Sequence, residues 1–253
     1  MGEFWELLIK GIPIGMSNTL PGISGGTMAL VLKIYDRLIT GIKKIRFKIL
    51  IPIFLGAVIG VLGSSKLITI LLVEQSNLMM AFLSGLILFS VKVTIVEVEK
   101  FDIKAILLFI VGLTIAYFYS VEINSSGVTS DISLFKFFLG GVIGSVAMIL
   151  PGISGGTILI MLGLYQRVIQ GISSFNLPLI IIFGLGVGSG LLSFSWLLSY
   201  LLNNYRSLLM SFLTGLILGS MRSVLPSQFG LVEIIAFIMG SLIIWGLSRL
   251  NQS

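Results

Sequence analysis

The heptapeptide Pro-Gly-Ile-Ser-Gly-Gly-Thr occurs twice in this chain, at residues 21–27 and 151–157, and the offset of 130 between the copies is the strongest constraint on the fold. At that offset the correspondence runs on without a gap. Leu32, Tyr35, Arg37, Ile39 and Gly41 fall on Leu162, Tyr165, Arg167, Ile169 and Gly171, and Gly56 and Gly60 fall on Gly186 and Gly190. Between residues 21–92 and 151–222, 31 of 72 aligned pairs are identical, where apolar bias alone gives roughly a tenth. The chain therefore reads as a duplicated unit, residues 1–130 and 131–253.

What is duplicated is dissolved in lipid. Of 253 residues 56% are hydrophobic and 10% charged, against roughly a quarter charged in a soluble domain. A span needs about 20 helical residues, so an all-α polytopic membrane protein of roughly eight to ten membrane segments is expected, with no soluble domain. The start lacks the basic region and cleavage site of a signal peptide and reads as the first membrane element. Histidine and cysteine are absent, which removes His-based phosphatases, the usual zinc and haem sites, thiol nucleophiles and disulfides. No cofactor or metal is expected. The net charge of +6 reports topology and attraction to anionic headgroups rather than nucleic-acid binding.

Charge placement addresses the relative orientation of the halves. Lys43, Lys44, Arg46 and Lys48 follow the first heptapeptide, while the equivalent connector, residues 173–178, carries no charge. That contrast fits an inverted repeat whose connectors face opposite sides, the basic one in the cytoplasm. Spans at about 49–73, 78–95 and 104–120 then alternate, the acidic segment 122–132 lies outside, Arg206 and Arg249 lie inside, and both termini are cytoplasmic. Inverted pairs with interrupted helices are a transporter signature; doubling that merely enlarged a bundle is the plainer alternative.

The repeated motif is a helix interruption followed by a helix start. Pro-Gly marks a turn, Ser24 is a natural N-cap for a helix through Met28 to Leu38, and Gly25 and Gly26 leave first-turn N–H groups uncovered. With Thr27, and with Ser154, Gly155, Gly156 and Thr157 in the second copy, these groups offer donors suited to phosphate or carboxylate. Ten residues of helix from Thr27 to Arg37 measure about 15 Å, which puts the turn near mid-membrane, as a re-entrant or discontinuous helix lining a cavity. Two such turns from opposite faces would form one anion site. Close helix packing by small residues is the alternative, and it accounts for most glycines, Gly56, Gly60, Gly186 and Gly190 included.

Arg37 and Arg167 are either interfacial anchors or phosphate captors at their own leaflets. Lys92 and Arg222, also equivalent positions, are second-line candidates. Asn18, whose counterpart is Met148, either binds a ligand group on one side or caps backbone. Among carboxylates in or near apolar segments, Glu3 and Asp36 read as interfacial, and Glu6 and Glu233 as candidate coupling residues for a proton or sodium ion. Lys66 marks a candidate break in its span.

Two PGISGGT boxes, each followed by Tyr-x-Arg, resemble the bacterial polyprenyl-phosphate transporters, formerly a family of unknown function, over essentially the whole chain. The resemblance implies a flippase of the plasma membrane that returns undecaprenyl phosphate from the outer to the inner leaflet for cell-wall polymer synthesis, with the boxes at residues 21–27 and 151–157 as its site and Arg37 and Arg167 adjacent. Lys33 departs from the repeat, facing Gly163, and adds a cation beside one box. A secondary carrier for a small soluble anion, a membrane lipid-phosphate enzyme and a noncatalytic assembly factor are the competing readings.

Overall fold

The computed structural model describes residues 2–119 and 133–249, and all regular structure among them is helical. In lipid an apolar run can pair every backbone N–H and C=O only by bonding them internally. The first half contains α1 (Glu3–Ser17), α2 (Gly25–Val31), α3 (Tyr35–Lys43), α4 (Phe47–Glu74), α5 (Ser76–Ile95) and α6 (Ile103–Tyr119). The second contains α7 (Leu134–Ile149), α8 (Gly155–Met161), α9 (Tyr165–Ser173), α10 (Leu177–Asn204), α11 (Arg206–Ser220) with a 3-10 turn to Val224, and α12 (Leu231–Arg249). Five of these, α4, α5, α10, α11 with its turn, and α12, are long and apolar enough to cross a membrane, and α6 and α7 are shorter apolar helices. The chain is a multi-pass membrane protein. The acidic segment 122–132 and the boundary at 130 lie outside the described residues.

Helices α2, α3 and α4 recur as α8, α9 and α10 at the 130-residue offset, and the packing seams recur with them. Helix α1 lies along α4, and α7 along α10. In both pairs glycine lets one backbone rest on the next: a Cβ at Gly56 would sit on the Leu8 carbonyl, one at Gly186 on the Phe138 carbonyl, and those at Gly60 and Gly190 on the carbonyls of Ile12 and Val142. The other seams join the halves. Helix α5 packs on α12 and α6 on α11, with Gly85 against Phe237 and Gly215 against Phe109. Helices α5 and α11 meet at the centre, where Thr214 and Thr94 hydroxyls are 3.1 Å apart.

Two local expectations fail. The helix capped by Ser24 stops at Val31 instead of continuing to Leu38, because Lys33 enters the left-handed region at φ 54° and its N–H and that of Ile34 turn back to Leu30 and Ala29. This is a Schellman stop. Gly163 adopts it in the second copy at φ 66°, so the cheaper residue there was the signal. The chain turns between Thr27 and Arg37, so about 15 Å of straight helix does not separate them and the depth of the box does not follow from their spacing. Lys66 causes no break: α4 is continuous from Phe47 to Glu74, and the side chain is exposed on its surface.

The equivalent arms differ in their seating. Every residue of α2 is buried, whereas α8 has no buried residue. Helix α3 packs on α10, but α9 has no comparable packing on α4.

Candidate functional site

Both boxes form the local structure their residues dictate. Gly22 and Gly152 follow proline at φ 74° and 76°, a region that favours glycine. Ser24 and Ser154 then cap the next helices, accepting the N–H groups of Thr27 and Thr157 at 3.3 and 3.4 Å.

The boxes meet, but not as two open cradles. The Gly152 N–H donates to Ser24 Oγ at 3.1 Å and Thr27 Oγ1 at 3.0 Å, and Ser24 Oγ contacts the Leu150 carbonyl at 3.2 Å. Tyr35, fully buried, donates its hydroxyl to the Ile149 carbonyl at 3.3 Å. A Cβ at Gly26 would press on that same carbonyl. The first box thus spends its hydroxyls on the second box's backbone. The N–H of Gly25 is also taken, by Asn18 Oδ1 at 2.9 Å. In the second copy Met148 stands where Asn18 would be, and within the described residues no hydrogen bond takes up the N–H of Gly155 or Gly156.

A cavity of about 350 Å³ opens at this asymmetry. Its polar end is formed by Asn18, Ser24, Ser145, Ser154, Gly155 and Gly156, and its wall by Met148, Leu159, Phe183, Val187 and Leu191. Phe183, Val187 and Leu191 share one face of α10 at a spacing of four. Gly156 has room for a Cβ in ordinary contact, while Gly155 is pressed against the Gly144 carbonyl. Tyr119 ties α6 to the second box through its hydroxyl on the Ser154 carbonyl at 2.8 Å. No charged side chain lines the cavity among the described residues. Uncovered N–H groups, small hydroxyls and an adjoining apolar wall can hold an anionic head attached to a hydrocarbon.

The candidate ionic residues lie elsewhere. Arg37 pairs with Glu3 at 2.7 Å and Glu6 at 3.2 Å, and Glu6 also holds Lys10 at 2.8 Å. Arg167 is half-buried on α9 and Lys33 exposed at the α2–α3 turn. Lys92 lies 5.3 Å over the Phe89 ring, and Arg222 lies 4.1 Å over Tyr117 while donating to its carbonyl. Glu233 accepts the Gly230 N–H at 2.9 Å, capping α12.

Residues 14–235 match the family described as undecaprenyl phosphate translocase-like. The chain belongs to that family. Two curated relatives are both named polyprenyl-phosphate transporter. One, from Vibrio cholerae, is 34% identical over 244 residues, covering 88% of this chain and 78% of the relative. The other, from Staphylococcus aureus, is 30% identical over 275 aligned positions, covering 98% and 97%. No solved structure matches. Both boxes and the cavity wall lie inside the family match.

One cluster in this family member was not singled out in the sequence. Arg206, at the start of α11, donates to both Asp36 oxygens at 3.0 and 3.2 Å and to Glu97 at 3.1 Å. The signal available was the repeat itself, which has Gln166 and Ser76 at the positions equivalent to Asp36 and Arg206.

Proposed function

We propose that this chain carries polyprenyl phosphate across the bacterial plasma membrane, returning undecaprenyl phosphate from the outer to the inner leaflet for reuse in cell-wall polymer synthesis. The observation that carries this reading is the two-ended cavity, polar at Ser154–Gly156 and Asn18 and apolar along Phe183, Val187 and Leu191. A polyprenyl phosphate has an ionic head that lipid excludes and a tail that never needs to leave it. Burying the head costs several kcal/mol unless donors replace its water. The N–H groups of Gly155 and Gly156, the Ser154 hydroxyl and the Asn18 amide supply them. Helix α8 is only two turns long, so these are local donors rather than the end of a strong dipole. Ser24, Gly25, Gly26 and Thr27 take the equivalent role when the arms exchange, and Arg167 and Arg37 receive the phosphate at their leaflets. The names of the two relatives support the substrate.

Exchange requires that the halves be inverted in the membrane. Contacts at both ends of the bundle support this. Arg206, at the start of α11, meets Glu97, just past the end of α5, and Asn77, at the start of α5, accepts the N–H of Ser227, beyond α11. The basic connector at residues 43–48 supports a cytoplasmic position for the Arg206 end and both termini. A proton or sodium ion couples transport, with Glu6 and Glu233 as the candidate carboxylates, each of which must first release a partner, Lys10 and Arg37 for Glu6 and the Gly230 N–H for Glu233.

Proteoliposomes separate this from carriage of a small soluble anion, whose cavity has no use for an apolar wall. Flipping of a labelled prenyl phosphate without uptake of inorganic phosphate is expected. Uptake without flipping overturns it.

A further inference from the structure

We propose that Arg206 is a positioning residue that pins the α2–α3 arm in its docked place and thereby sets the cavity to open at the second box. The inference rests on the transport reading only for its purpose; the clasp and its test do not need a substrate.

Arg206 belongs to the second half, and both carboxylates it binds belong to the first: Asp36 on the arm itself and Glu97 beyond α5. Nη1 is shared between the two Asp36 oxygens while Nε and Nη2 both donate to one Glu97 oxygen at 3.3 and 3.1 Å, so the two carboxylates together fix the plane of the guanidinium. Beneath the clasp lies a recess of about 140 Å³ reaching Lys33, Thr94 and Leu30. Thr94 is 2% exposed there, although Lys33 at its rim is open. A second attachment holds the arm's far end: Lys43 donates to Ser199 at 3.1 Å and lies 4.4 Å over the Trp196 ring.

Among the described residues the side chains of this clasp are not repeated on the other arm, whose box is tied to α6 by the Tyr119 hydroxyl instead. The positions that correspond to Asp36, Arg206 and Lys43 are Gln166, Ser76 and Ser173. At the opposite end of the bundle the corresponding contact among the described residues is a neutral bond, from the Ser227 N–H to Asn77 at 3.1 Å. Two arms whose boxes are identical thus differ at these positions, where one has the Arg206–Asp36 clasp and the other has neutral residues. A two-state exchange is biased only by contacts present in one state and missing in the other.

The chain has no cysteine, so a single introduced thiol reports accessibility cleanly. Thr94→Cys and Ser154→Cys are each labelled with a membrane-impermeant maleimide in vesicles of known orientation, with Arg206 intact or as Arg206→Gln. In the intact background the thiol of Thr94→Cys labels slowly and that of Ser154→Cys quickly, from opposite sides. Arg206→Gln raises the rate at position 94 and lowers the rate at position 154, each about tenfold, and Arg206→Lys, which keeps the charge without the planar fork, restores only part of either. Asp36→Asn with Glu97→Gln, leaving Arg206 in place, does the same and guards against a folding defect in Arg206→Gln. Unchanged rates in both backgrounds, or a rise at position 94 with no fall at position 154, overturn the proposal. Loss of prenyl-phosphate flipping in the unmutated protein would refute the substrate and leave these rates as stated.

Discussion

The side-chain carbonyl of Asn18 accepts the N–H of Gly25 at 2.9 Å, and at the equivalent place beside Gly155 stands Met148, which has no such acceptor. One box therefore carries its own plug and the other stays open to the cavity. Asn18→Ala should leave a partly buried donor unpaired and cost about 0.5–2 kcal/mol, as loss of a helix cap does. Met148→Asn should occupy the Gly155 donor, leave the melting temperature unchanged or raised, and slow prenyl-phosphate flipping by about tenfold, equal to 1.4 kcal/mol. Thermal unfolding in detergent and a flipping assay on the same preparations check both.

The two glycine pairs should part company in the same way. A methyl at Gly26 meets the Ile149 carbonyl, whereas one at Gly156 finds ordinary contacts at 3.7 and 3.8 Å. Gly26→Ala should destabilise by about 1–3 kcal/mol, the usual cost of overpacking. Gly156→Ala should melt like the unmutated protein and yet transport more slowly, because the methyl shields the donors.

Tyr35 and Tyr165 are equivalent in sequence and differ in burial. Tyr35 is 2% exposed and bonded to the Ile149 carbonyl, whereas Tyr165 is 41% exposed. Tyr35→Phe should cost about 1 kcal/mol, and Tyr165→Phe less than about 0.5. Equal losses, measured by chemical or thermal unfolding, would mean that both arms are seated alike.

Much of this was legible in the chain. The apolar runs delimit α4, α5 and α6 to within two residues of the spans expected from hydropathy and charge, because a lipid-dissolved run has only the helix available to it. Pro21-Gly22 and Ser24 announce their turn and cap through local conformational preferences that need no distant partner to be read. The seating of the arms could not be read from the boxes, since identical residues occupy both. It is written in flanking positions where the repeat fails, Asn18 against Met148, Asp36 against Gln166 and Arg206 against Ser76, which mean little until their distant partners are known. The stop at Lys33 was readable only through Gly163, because lysine seldom adopts positive φ.

The apolar wall predicts tail dependence. Val187 sits between Phe183 and Leu191 along the cavity, so Val187→Trp should obstruct a prenyl chain and slow flipping by about tenfold, or 1.4 kcal/mol. A water-soluble phosphate, if it were the cargo, would be indifferent to that change. Competition by short-chain prenyl phosphates against inorganic phosphate, measured in proteoliposomes, distinguishes the two.

The most direct measurement is an experimental structure of the protein bound to a short-chain polyprenyl phosphate. The phosphate oxygens should lie about 3 Å from the N–H groups of Gly155 and Gly156, with the chain along Phe183, Val187 and Leu191. A lipid phosphate held at a surface arginine with this cavity empty, or a cavity that takes inorganic phosphate and excludes the lipid, would contradict the account.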